Sequence, residues 1–177
     1  QAADYNMINY GAIVYSKTGL VFTYLKEYLG DTLFDQCMQQ YYNEWHYKHP
    51  QPQDLRAAFE KTSGKNLGWL FDDIIPTTGQ IDFAIKKVKV LDNHTEVTVK
   101  NIGQVDGPIS VDALFNGKVR STQWAEPGTK KTTLTFDGTN YDGFAIDSKT
   151  RIPEVNRNNN YWKQKGPFGK VEPCKME

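Results

Sequence analysis

Few side chains in this 177-residue sequence are placed to do chemistry, and Tyr15 is the most telling of them. It stands near the head of the stretch IVYSKTGLVFTYLKEYLG, beside Ser16 and Lys17. A phenol is a neutral hydrogen-bond donor at physiological pH. Buried, it needs a partner; opening on a cleft, it is an aromatic handle. The local sequence leaves both readings open. His46 and His49 stand three apart, a spacing that can put two imidazoles on one helical face for a metal. Pro50 follows directly and no Glu lies between them, so two solvated or capping histidines are the favoured reading. Asp72 and Asp73 look like a carboxylate pair, but adjacent residues near a helix end point in different directions, as a solvated pair does. Asn93-His94-Thr95 matches the N-glycosylation acceptor pattern within a polar turn where such residues are ordinary. There is no Gly-x-Ser-x-Gly elbow, phosphate-cradling glycine loop or Cys-x-x-Cys pair.

The elements that must position these groups fall into two halves with different periods. From Ile13 to Leu29 the apolar residues recur at spacings of three and four, which predicts an amphipathic helix ended by Gly30. Asp31 is expected to cap a second helix carrying Leu33, Phe34, Cys37, Met38, Tyr41, Tyr42 and Trp45 along one stripe. Pro50 and Pro52 stop it, a short third helix runs to about Ser63, and Leu67, Leu70, Phe71 and Ile74 suggest a fourth. After Gly79 the period drops to two. QIDFAIKKVKV needs a bulge or a change of face, and strand-like runs recur at TEVTVKN, ISVDALFNGKVRSTQW, KKTTLTFDG and DGFAIDS, with Asn116-Gly117 as a hairpin turn. The expected architecture is α+β and multidomain. Residues 1–79 form an antiparallel helical array, residues 80–152 a small antiparallel β-sandwich of the immunoglobulin or fibronectin kind, and residues 153–177 a polar exit segment.

Composition narrows the function classes. Lys plus Arg and Asp plus Glu balance at 21 each, which removes the electrostatic footprint of a nucleic-acid or anionic-membrane binder. No apolar run reaches the roughly 18 residues that a membrane span requires. Cys37 lies on an apolar helical face and Cys174 in the polar tail, so Cys37 is expected to be an unpaired, small hydrophobe. A start at Gln1 and an end at VEPCKME, without a helix stop or turn closure, predict a piece of something longer.

Taken in order, NYGAIVYSKTGLVFTYLKEYLGDTLFDQCMQQYYNEW and YKHPQPQDLRAAFEKTSGKNLGWLFDDII resemble the C-terminal part of the catalytic domain of aminopeptidase N-type gluzincin metallopeptidases. The resemblance rests on Tyr15 with Lys17, Leu29-Gly30 with Phe34, Pro52 to Leu55, Ser63-Gly64, and Trp69 to Phe71, and on their order. In that family a small β-sandwich comes next, so the resemblance covers nearly all of residues 5–160. Two departures stand out: the family's Lys-Gly is Lys17-Thr18-Gly19 here, and the zinc signature His-Glu-x-x-His is missing from the chain.

The resemblance implies a catalytic role for Tyr15, whose hydroxyl would donate a hydrogen bond to the substrate oxygen as a tetrahedral intermediate gains negative charge. Tyr10 would line the same substrate-binding cleft. It also implies a parent hydrolase that takes peptide substrates, needs zinc, joins this region to an upstream portion of the catalytic domain, and works outside the cytoplasm. This chain itself is expected to hold no metal or other cofactor and to be inactive in isolation. The rival readings are a non-catalytic peptide- or glycan-binding module, which exposed Trp124 or Trp162 would favour, and an inert scaffold related to peptidases.

Overall fold

The structure, a computed structural model, describes residues 6–164. Within it, residues 6–78 with 151–153 form a compact helical unit, and residues 79–150 with 154–164 form a β-unit. The chain thus has the expected α+β, multidomain character.

In the helical unit, Asn6 opens α1 (Met7–Tyr10) by accepting the Asn9 N–H at 2.9 Å. The helix continues through a π-helical stretch, Gly11–Lys17, into α2 (Thr18–Leu29). Gly30 ends α2 at a φ of 78°, a conformation that a side chain would strain. Asp31, expected to cap the next helix, is instead its first residue: Gly30 holds the cap position of α3 (Asp31–Trp45). There the Asp31 carboxylate meets the positive end of the helix and pairs with Lys26 at 3.3 Å. α4 (Pro52–Ser63) starts with proline in the first turn, and the Gln51 N–H donates to Asp54 at 2.7 Å. The expected fourth helix forms as a second π-helical stretch, Trp69–Ile74, closed by the Ile75 N–H reaching back five residues to the Leu70 carbonyl at 3.0 Å.

The core of this unit is aromatic. Tyr24 and Tyr28 of α2 pack on Trp69, with ring centroids 4.8 and 6.1 Å apart, and Phe59 of α4 takes Phe34 edge-on at 5.7 Å. Cys37 is buried with them; its thiol faces the Phe59 carbonyl at 3.8 Å, and burial raises its pKa. Cys174 lies outside the described residues. The buried stripe of α3 is narrower than its sequence suggests, since Met38 and Tyr42 are exposed. Tyrosine tolerates such a position because its hydroxyl can stay in water while part of the ring packs.

The β-unit has two antiparallel sheets. β1 (Phe83–Val90), β2 (His94–Asn101) and β5 (Lys131–Asp137) form one, in the order β1-β2-β5. The other is β4-β3-β6-β7, from β3 (Ile109–Phe115), β4 (Lys118–Ala125), β6 (Gly143–Ile146) and β7 (Tyr161–Lys163). The expected bulge in β1 falls between Ile85 and Lys87, where the register with β2 shifts. Asn116 and Gly117, at φ of 51° and 71°, make the tight β3–β4 hairpin. Phe136 of β5 meets Phe144 of β6 at 5.2 Å, so aromatic rings bridge the two sheets. Tyr141 packs on both and its hydroxyl donates to the Asp137 carbonyl at 2.5 Å, the corner bond common in immunoglobulin-like sandwiches.

The polar segment from Arg151 was expected to leave the fold, yet part of it closes this unit. Residue 154 bridges Ile81, and Tyr161–Lys163 pair with β6. Three residues are too few to show a period. What admits them is Gly143, where a Cβ would come within 3.0 Å of the Trp162 carbonyl.

Candidate active site

The residues singled out for chemistry separate into one cluster and several groups with local structural partners. Tyr10 and Tyr15 come together. On an ordinary α-helix, residues five apart lie about 140° apart around the axis. The π wind of Gly11–Lys17 bonds residue i to i+5 and so sets residues five apart one turn above each other. The two rings meet edge-on at 5.6 Å. The Tyr15 hydroxyl, first as a hydrogen-bonding neighbour and then through charge, raises the Tyr10 pKa above its ordinary value, with slight desolvation adding to the rise. Tyr15 is 67% exposed, so its hydroxyl is accessible to a third group.

The π wind is marked by hydroxyls that also reach back five residues: Ser16 Oγ to the Gly11 carbonyl at 3.5 Å and Thr18 Oγ1 to the Ile13 carbonyl at 3.4 Å. At the end of the stretch, Lys17 Nζ donates to the carbonyls of Ile75 at 3.2 Å and Thr77 at 2.7 Å. The apolar pattern of residues 13–30 does not point to this long-range anchor; the one local signal is a cation two residues after a candidate tyrosine. Gly19, the displaced glycine of the Lys-Gly pair, has open space where a Cβ would stand, so no close approach demands glycine there.

The other candidates have local partners. His46 Nδ1 lies 3.0 Å from the Tyr42 carbonyl and its ring stacks on Tyr42, as a capping histidine does. Asp72 takes Arg56 Nη1 at 2.9 Å from both oxygens, and the Asp73 carbonyl accepts the Thr77 hydroxyl. Asn93 lies in the exposed turn before β2, its side chain 2.7 Å from His94 Nδ1, and Thr95 is buried, donating to the Gly138 carbonyl. Among the described residues no group of three His, Cys, Asp or Glu side chains is placed to hold a metal ion. The described residues therefore do not fit a zinc centre by themselves.

One titratable group escaped the sequence reading. Burial pushes the Glu154 carboxyl up to about 7 against the opposing hydrogen bonds from the Asn160 amide and the Phe83 N–H and the charge of Arg157, with Asp147 adding to the rise. One oxygen accepts the Phe83 N–H at 2.7 Å and the other the Asn160 amide, so neither is aimed at a ligand. Its place is in the framework of the β-unit.

Residues 2–74 match the family model described as the peptidase family M1 domain. No curated protein sequence matches the chain. Among solved structures, aminopeptidase A of Legionella pneumophila in complex with aspartic acid shares the fold with a TM-score of 0.67 at 15% identity. The match covers 82% of this chain and 18% of that one. The chain thus spans about a fifth of the length of this structural relative, and its likeness to the peptidase family M1 domain lies in residues 2–74.

Proposed function

We propose that the helical unit contributes an oxyanion-stabilising tyrosine to a zinc-dependent peptidase of the aminopeptidase type. The observation that carries this reading is the Tyr10–Tyr15 pair. Tyr15 is an exposed phenol held edge-on to Tyr10, so its O–H is open to an incoming acceptor, and it lies in the segment matched to peptidase family M1. When water adds to the scissile carbonyl of a peptide, the carbonyl oxygen gains negative charge, and Tyr15 O–H donates to it. Tyr10 packs edge-on against the Tyr15 ring and lines the cleft beside the substrate. One such donor contributes roughly 3 to 4 kcal/mol to transition-state stabilisation. The attacking water and any zinc that activates it would be held by residues outside those described here. The isolated chain is therefore expected to be inactive.

The test is Tyr15→Phe in a longer M1 peptidase that contains this segment. Turnover falls by roughly two to three orders of magnitude with a small change in KM, because the bond is made mainly in the transition state. Unchanged turnover removes Tyr15 from the site. The binding-module alternative gains no support here: Trp124 and Trp162 are both partly buried, and Trp162 packs against Phe144 at 6.0 Å.

A further inference from the structure

We propose that Lys17 is the positioning residue for Tyr15: its ammonium, held on the Ile75 and Thr77 carbonyls, locks the π-helical wind that brings Tyr15 onto Tyr10. Three observations converge on it. Lys17 is the last residue of the π stretch Gly11–Lys17, so a tether there fixes the winding of the whole stretch. Its two acceptors, at 3.2 and 2.7 Å, lie 58 and 60 residues away in sequence and follow directly on the second π stretch, Trp69–Ile74. These carbonyls stand at the C-terminal end of that helical segment, where a cation is favoured both by the exposed oxygens and by the negative pole of the helix.

The energetics require such a tether. π-Helical segments are rare because the α wind is better, and a stretch near the start of a helix relaxes unless tertiary contacts hold it. Relaxation to an α wind would turn Tyr15 about 140° away from Tyr10. The phenol pair would break, and the Tyr15 hydroxyl would point elsewhere. With its ammonium on the Ile75 and Thr77 carbonyls, Lys17 acts through the backbone between the two rings. The Ser16 and Thr18 hydroxyls follow the π wind locally, but each bonds within its own turn and cannot register the stretch against another element.

The geometric part of this proposal stands on the chain alone; its effect on catalysis rests on the reading of Tyr15 given above. The experiment uses the full 177-residue chain with carbon-13 at the tyrosine ring carbon bearing the hydroxyl, and follows the Tyr10 titration and the Tyr10–Tyr15 ring contact by NMR. Tyr15→Phe supplies the Tyr10 midpoint without the pair. In Lys17→Met the Tyr10 midpoint is expected to fall to that same value and the ring-to-ring cross-peaks to vanish, while the dispersed signals of Tyr24 and Tyr28 stay in place. An unchanged Tyr10 midpoint and unchanged cross-peaks in a folded Lys17→Met chain overturn the proposal. A wild-type measurement keeps the question open to refutation should that variant fold poorly: the Lys17 ammonium protons, observed through nitrogen-15, are expected to exchange with water at least tenfold more slowly than those of the exposed lysines, and equal exchange rates overturn the tether. In a longer M1 peptidase, Lys17→Met is expected to lower kcat by about tenfold to a hundredfold with little change in KM, and full kcat there overturns the functional half. Full turnover of Tyr15→Phe would instead sink the catalytic reading while leaving the titration result for Lys17 standing.

Discussion

Two tyrosines in two regions of this molecule show how the same side chain is used for opposite purposes. At the corner of the β-unit, Tyr141 is buried, its ring packed against Phe136 and Phe144 and its hydroxyl donated to the Asp137 carbonyl. Nothing is left over for chemistry. In the π stretch of the helical unit, Tyr15 is mostly in solvent, its ring edge-on to Tyr10 and its hydroxyl open to an incoming group. A phenol's role thus follows from whether the fold has already consumed its hydroxyl. The corner consumes the donor and leaves a structural bond. The π stretch orients the ring through Tyr10 and leaves the hydroxyl facing solvent.

The largest expected effect breaks the structural side of the comparison. Phe144 is 1% exposed and touches Phe136, Tyr141 and Trp162. Phe144→Ala should cost about 3–5 kcal/mol, since the cavity left between the sheets cannot collapse onto a single neighbour. Chemical denaturation followed by tryptophan fluorescence should show it as a large shift in midpoint.

Next in size is the pH response of the same unit. The folded Glu154 carboxyl, at about 7, holds its proton more tightly than in the unfolded chain, where 4.5 is usual. Its contribution to stability is therefore fully present below about pH 4.5 and is lost as pH rises toward 7, because the ionised form is then buried. The loss amounts to about 3 kcal/mol. The buried Asn160 amide oxygen, which has no hydrogen-bond partner, is a ready acceptor for a proton on this carboxyl once the amide is turned over. Glu154→Gln copies the protonated form and should flatten this part of the profile. The difference between the two melting curves across pH 4.5 to 8 isolates Glu154 from the histidines, and parallel curves would refute the assignment.

The smallest effects sharpen the comparison. Tyr141→Phe removes the corner bond and should cost about 1 kcal/mol, whereas Tyr15→Phe should change the stability of this chain by less than about 0.5 kcal/mol, because an exposed hydroxyl is as well served by water. Paired thermal melts measure both. A Tyr15→Phe loss as large as that of Tyr141→Phe would mark Tyr15 as a structural residue.

Much of the fold was legible beforehand because its causes are local. Apolar spacing marks α2 and α3, Gly30 and Gly64 end helices where their φ of 78° and 68° favour glycine, and Asn116-Gly117 dictates the hairpin. The β1 bulge was readable as well, since Val88 and Val90 fall out of phase with Phe83 and Ile85. Tyr10 and Tyr15 could be named as candidates from their residue type and their place in a family-like order. Their meeting could not be derived, because at α-helical spacing residues five apart diverge; only the π wind, tied by Lys17 to carbonyls some sixty residues away, brings them together. For the same reason Glu154 and β7 were invisible in a polar, Asn-rich stretch with no period. Their bonds run to Phe83 and to β6, distant in sequence. Periodicity, breakers and turn chemistry are written along the chain, and the sequence by itself determined whatever depended on them. The winding of a short helical stretch, the ionisation of a buried carboxyl and the pairing of a three-residue strand depend on partners that only folding supplies, so only the tertiary structure decided them.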